Sequence, residues 1–239
     1  MVTPRLQKGI IRLLMCTDAT TPTATRLLLV RHGATVLSAD DRFAGATDVA
    51  LGDDGRMQAQ HLARRLARET IAAAYCSTMR RTIETATIVA QPHGLAVNEL
   101  SGLREVDHGR WEGLLREEVE ALYPDEYAAW ERDPLRAAPT GGEAGEVVLA
   151  RALTTVKTIV AAHPGQQVLV VSHKATIRLL TAHLLGFDPR EYRDRLDQRP
   201  ACLNVVDFDQ AGRPRLVLFN DVSHYGSEPW HLPAACHPP

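Results

Sequence analysis

The run Arg26-Leu-Leu-Leu-Val30, followed at once by Arg31-His32-Gly33, constrains this chain more than any other segment. Unbroken aliphatic residues give a strand no polar face, so the run reads as a strand buried in a parallel sheet. A histidine flanked by arginine at the carboxyl end of such a strand lies where open α/β sheets place their ligands. A histidine there can act as a nucleophile, and an arginine beside it can hold a phosphate.

Downstream, apolar runs alternate with helical periodicity. This predicts an α/β fold with a mainly parallel central sheet and helices on both faces. A polar loop, 34–52, leads to a helix with Asp53 as N-cap and Ala59, Leu62, Ala63 and Leu66 on one face. A short strand, 71–76, precedes a helix over 78–90 with Met79, Ile83, Ala86 and Ala90 on one stripe. After a brief strand at 95–98, residues 114–132 read as a helical excursion broken at Tyr123-Pro124. A long helix over 143–162 is assigned Leu149, Leu153, Val156 and Val160 as its buried face. Residues 168–171 form the clearest strand after the first, and a helix over 175–185 follows Ser172-His173. Runs 202–208 and 215–219 read as strands joined in a hairpin through Asp209-Gln-Ala-Gly212. Residues 1–25 are expected to be a loosely ordered leader, with Met15 as an alternative start. Residues 26–225 form the domain and 226–239 an irregular tail.

The 239 residues are 45% hydrophobic and 23% charged, ordinary for a soluble globular protein. A formal net charge of -2 offers no global basic field for nucleic acid or an anionic membrane. Cys16, Cys76, Cys202 and Cys236 are too scattered for a zinc knuckle or a redox pair, so free thiols in a reducing cytoplasm are expected. No apolar run is long enough to span a bilayer. Asp40-Asp41 and Asp53-Asp54 read as turn and cap residues rather than a metal site. His231, Cys236 and His237 in the tail are weak candidates for one.

The strand ends carry the chemistry. The first delivers Arg31-His32, the second Cys76-Ser77 with Arg80 and Arg81 just beyond, and the strand at 168–171 delivers His173. Parallel strands bring these ends to one rim of the sheet, where helix N-termini add N–H donors. Two arginines and two histidines there form a cage for a dianion. A phosphoryl group in transfer spreads negative charge over its equatorial oxygens, which arginine forks neutralise. The same positive charge disfavours protonation of His32 and keeps its imidazole nucleophilic. Glu105 is the candidate proton donor to the leaving oxygen, with Asp107 and Glu112 as rivals. No step of this chemistry needs a metal or other cofactor.

These segments resemble the histidine phosphatase superfamily, also called phosphoglycerate mutase-like. Its Arg-His-Gly signature matches residues 31–33. Its Ser-Pro-Leu-x-Arg-Ala-x-Gln-Thr-Ala is similar to Ser77-Thr-Met-Arg-Arg81-Thr-Ile-Glu-Thr-Ala86, which makes Arg81 the phosphate ligand and leaves Arg80 on a solvated helix face. Its acid segment is similar to Leu103-Arg-Glu-Val-Asp-His-Gly-Arg-Trp-Glu-Gly113, its second histidine to His173, and a Gly-Gly-Glu motif to 141–143. The resemblance covers residues 26 to 220. It implies catalysis by His32, Glu105, Arg31, Arg81 and His173, and substrate contacts from Arg31, Ser38, Ala44, Gly45, Arg81, His173 and Lys174. Ser38 stands where the mutases have Asn, Phe43-Ala-Gly45 where they have Phe-Thr-Gly, and Lys174 where Gly is common.

Lys174, at a helix start, faces the unfavourable end of the dipole. Either it reaches a second acidic group on the substrate or it points to water. Trp111 and Trp130 flank the helical excursion, which is expected to cover the active rim. The mutases' long insertion after the acid segment is absent, which favours hydrolysis. The expectation is a cytoplasmic phosphomonoesterase acting on a small phosphorylated metabolite through a phosphohistidine, with oligomeric state left open. The alternatives are mutase-type phosphoryl transfer and a non-catalytic phospho-ligand-binding module.

Overall fold

The structure is a computed structural model that describes residues 24–38 and 42–225. Strands β1 (Thr25–Arg31), β2 (Ala73–Cys76), β3 (Val97–Glu99), β4 (Gln167–Ser172), β5 (Leu203–Phe208) and β6 (Pro214–Asp221) form one six-stranded sheet in the order β3-β2-β4-β1-β5-β6. β3, β2, β4 and β1 run parallel, while β5 and β6 are antiparallel additions at one edge.

β1 is central, and its alternate residues divide the core. Leu28 and Val30 pack against α1 (Asp53–Leu66) and α2 (Arg80–Ala90). Leu27 and Leu29 pack against α5 (Gly145–Ala162) and α6 (Lys174–Leu184). The expected parallel sheet with helices on both faces is therefore present, and the period-two direction of strand side chains explains the all-apolar run. Between α2 and α5 in sequence come α3 (Arg116–Leu122) and α4 (Pro124–Arg132), divided at Tyr123 because Pro124 can only start a helix. Phe43, Trp111, Val119, Tyr127 and Trp130 give this excursion a small aromatic core of its own. A last short helix, α7 (Tyr192–Arg195), which periodicity did not reveal, packs against α6.

Two expectations need correction. The buried face of α5 is Val148, Ala152, Val156 and Ile159, with Leu149, Leu153 and Val160 only partly buried. Apolar residues follow the helical repeat both at 148, 152, 156 and 159 and at 149, 153, 156 and 160, so hydropathy does not choose between these two adjoining faces. The small and β-branched residues take the close approach to the sheet and the leucines cover its margin. The helix at 53 is capped by the backbone of Gly52 rather than by the side chain of Asp53, which is its first residue. The hairpin through Asp209 and Gly212 is as expected.

Residues 1–23, 39–41 and 226–239, including the candidate metal residues of the tail, lie outside the described residues. Among the described residues no helix is long and apolar enough to cross a membrane.

Candidate active site

The carboxyl ends of β1, β2 and β4 converge on a cavity of about 270 Å³. His32 lies just past β1, its amide donating to Ser172 O of β4 and its carbonyl accepting from Ala201 N. Gly33 must be a glycine, because a Cβ there would come within 2.4 Å of the Gly55 carbonyl in α1. His32 is buried, and its Nδ1 lies 2.7 Å from Gly33 O. A carbonyl only accepts, so Nδ1 carries the proton and Nε2 keeps its lone pair. Burial, and after it the charges of Arg31 and Arg81, holds the His32 pKa well below the ordinary histidine value. The ring is therefore neutral at pH 7.

His173 caps α6, with its ring centroid 5.2 Å from that of His32. Its Nε2 is 2.7 Å from Ser77 Oγ, at the end of β2, and its Nδ1 is buried without a hydrogen-bond partner. Burial, then the charge of Arg81, lowers the His173 pKa well below the usual value.

Both arginines of the floor are fixed by backbone carbonyls. Arg31 Nη1 donates to Gln198 O at 2.5 Å. Gln198 is in turn clamped by the side chains of Asn204 and Cys202. Arg81, 2% exposed, donates to the carbonyls of Thr47, Gly45 and Ala44. Arg80 is exposed, and its amide is taken by Asp48.

The loop that holds Arg81 is held by Glu112. Its two carboxylate oxygens accept from the amides of Gly45, Ala46, Thr47 and His108 and from Thr47 Oγ1. Burial is the largest influence on Glu112 and raises its pKa. The Thr47 hydroxyl and the surrounding amides together outweigh it, and the pKa lies below the usual range. This weighed rival for the acid role is a strap. Asp107 is outside the cavity lining and accepts from Gly109 N. Glu105 lines the cavity. Its Oε2 accepts from Ala175 N, and its Oε1 from Val106 N, Thr176 N and Thr176 Oγ1. The first amides of α6 thus serve Glu105, rather than being reserved for an anion as the strand-end pattern suggested. Glu143 of the Gly-Gly-Glu motif pairs with Arg151 at 2.8 Å, and Arg151 donates to the carbonyls of Gly102, Arg104 and Glu105. The motif buckles the acid segment in place.

Ala44 and Lys174 line the cavity. Gly45 lies beneath it, against Val106 O, with its carbonyl on Arg81. The side chain of Ser38 lies outside the described residues.

A sequence profile of the histidine phosphatase superfamily (branch 1) matches residues 27–222. The chain belongs to that superfamily. Phosphoserine phosphatase 1 of Hydrogenobacter thermophilus is 35% identical over 163 residues, 68% of this chain and 77% of that protein. Among solved structures, YhfR of Bacillus stearothermophilus superposes with a TM-score of 0.79 at 32% identity, over 84% of this chain and 99% of the other. Mycobacterial glucosyl-3-phosphoglycerate phosphatase Rv2419c, in complex with VO3, gives 0.74 at 31% identity over 82% and 98%.

Within this site, sequence reasoning did not single out Ser77 as the partner of His173, although it opens the arginine segment. Of the cavity roof it found Trp130 of α4 and the excursion as a cover, but not Arg116 of α3, Arg193 of α7 or, beside them, Arg178 of α6. These three arginines share no motif and come from separate helices of the chain.

Proposed function

We propose that the protein is a phosphomonoesterase that acts on a small phosphorylated metabolite through a phosphohistidine at His32. The observation that carries this is the His32 tautomer: Nδ1–H is committed to Gly33 O, leaving Nε2 with a free lone pair on a ring that feels the charges of Arg31 and the buried Arg81. The names of the relatives above, phosphatases of small phosphate esters, support the reaction class.

His32 Nε2 attacks phosphorus, the P–O ester bond breaks, and the leaving oxygen takes a proton from Glu105. Oε2 is the oxygen suited to carry that proton, since it accepts one hydrogen bond where Oε1 accepts three. Glu105 then removes a proton from water. The water oxygen attacks phosphorus, the N–P bond breaks, and phosphate leaves. Arg31 and Arg81 neutralise the equatorial oxygens, and their fixed carbonyl partners mean that little reorganisation is needed. With Ser77 Oγ donating to Nε2 of His173, Nδ1–H of that ring is left to donate to a phosphoryl oxygen.

The test is rapid quenching with 32P-labelled p-nitrophenyl phosphate. A labelled phosphoprotein that is acid-labile and alkali-stable, and absent from His32→Ala, is expected. Turnover surviving in His32→Ala, or an acid-stable adduct, overturns the proposal.

A further inference from the structure

We infer that the cavity contains a second oxyanion subsite centred on Arg178, so that the substrate is a short phosphomonoester bearing a second anionic group, a carboxylate or another phosphate. The inference rests on the phosphatase reading and names the substrate class for that same site. Among the described residues, the cavity wall holds Arg31, Arg42, Arg81, Arg116, Lys174, Arg178 and Arg193, and the one carboxylate lining it is Glu105. Both oxygens of Glu105 are already engaged by the start of α6. A phosphoryl dianion held between Arg31 and Arg81 does not extend to Arg178 on α6, which is open to a second anionic group.

Lys174 and Arg178 stand four residues apart on α6 and both line the cavity. Like charges at that spacing repel, and both lie near the positive end of the helix dipole. The Arg178 side chain is 12% exposed, and its ion pair, with Asp197 at 3.4 Å, is long and reaches a largely exposed carboxylate. Its Nε is buried without a hydrogen-bond partner. A guanidinium so far removed from water is costly unless an anion completes its bonding. Arg193 Nε is likewise buried without a hydrogen-bond partner. Its guanidinium, however, is paired with Glu131 at 2.8 Å and lies 3.9 Å from the centre of the Trp130 ring, so it shapes the roof while Arg178 does the binding. The cavity's size suits a chain of few carbons between the two anionic groups.

The experiment compares kcat/KM of the full chain for 3-phosphoglycerate, glycerol 1,3-bisphosphate and glycerol 3-phosphate, which differ in the group at the far end. A charge-assisted bond to Arg178 predicts a preference of about 10- to 100-fold for one of the anionic esters over glycerol 3-phosphate. Whichever is preferred identifies the second group as carboxylate or phosphate. Arg178→Gln is expected to bring the ratio close to one, chiefly through KM, and Arg178→Lys to restore part of it. If Arg178→Gln does not fold, the wild-type protein still decides. Glycerate must then inhibit competitively at least about tenfold better than glycerol. Equal turnover of all three esters, or equal inhibition by glycerate and glycerol, overturns the subsite and leaves the phosphatase standing. Hydrolysis of none of the three overturns both.

Discussion

Arg81 and Arg116 line the same cavity and are held in opposite ways. Arg81, in the floor, is almost wholly buried and donates to three backbone carbonyls of a loop that Glu112 straps down. Arg116, in the roof, is about half exposed and held by a tyrosine hydroxyl and the carboxylate of Glu131. Backbone carbonyls fixed by a sheet and its loops do not move with side-chain rotamers, whereas an exposed ion pair exchanges with water and salt. The floor has the rigidity that charge stabilisation in a transition state requires. The roof has the looseness that lets ligands enter and leave. Substitutions in the floor should therefore strike turnover, and those in the roof should strike affinity or leave little mark.

The largest expected effect is at the centre of the floor. His32→Ala removes the nitrogen proposed to attack phosphorus, and kcat should fall by about 10⁴-fold or more while the fold persists. Steady-state kinetics alongside a thermal melt checks both. Retained turnover in a folded variant would place the chemistry elsewhere and end the contrast. Glu105→Gln should cost about 10²- to 10⁴-fold on alkyl phosphates. With p-nitrophenyl phosphate, whose leaving group needs no proton, the first step should be largely spared while water attack is not. Phosphoenzyme should then accumulate in a burst of p-nitrophenol. No burst would mean that Glu105 is not the base of the second step.

The floor was also the legible part. Arg31, His32, Arg81 and His173 each stand at or just beyond a strand's carboxyl end, and the alternation of strands and helices suffices to bring those ends together. The roles of Glu112 and Glu143 were not legible. Both are carboxylates in or near glycine-rich segments, and only the bonds they accept distinguish a strap from an acid. The roof's arginines were hidden for a different reason. Trp130 and the excursion were expected over the rim, but Arg116, Arg178 and Arg193 come from three different helices and meet there through tertiary packing rather than through any local pattern. The rotation of α5 escaped because two adjoining faces, one through Val148 and Ala152 and one through Leu149 and Leu153, are both apolar at the helical repeat.

Glu112 joins floor and acid segment, and its effect should be intermediate. Its Gln variant places an amide N–H₂ against donors that now meet a carboxylate, so the 44–47 loop and with it Arg81 should loosen. A loss on the order of tenfold in kcat/KM is expected. The pH dependence sharpens this. A carboxylate whose pKa is depressed in the folded state contributes stability that is fully present above its unfolded value, about 4.3, and is lost as pH falls through the folded value. The acid limb of the melting curve should be shallower in Glu112→Gln than in the wild type. Parallel limbs would show that the strap contributes nothing that titrates.

The smallest effect belongs to the roof. Arg116 and Arg193 share Glu131, at 2.9 and 2.8 Å. Arg193 is the better placed of the two, with its side chain 14% exposed and its guanidinium 3.9 Å from the centre of the Trp130 ring, against 5.7 Å for Arg116. Arg116→Met keeps most of the aliphatic stem and leaves Glu131 with its buried partner, so the loss should be that of a half-exposed ion pair, below about 1 kcal/mol. For a chain of this length that is a fall in Tm of less than about 4 °C. The difference from wild type should shrink further at high salt. A Tm loss several times larger, insensitive to salt, would mean that the roof is as firmly built as the floor. The division of labour between a fixed floor and a yielding roof would then fail.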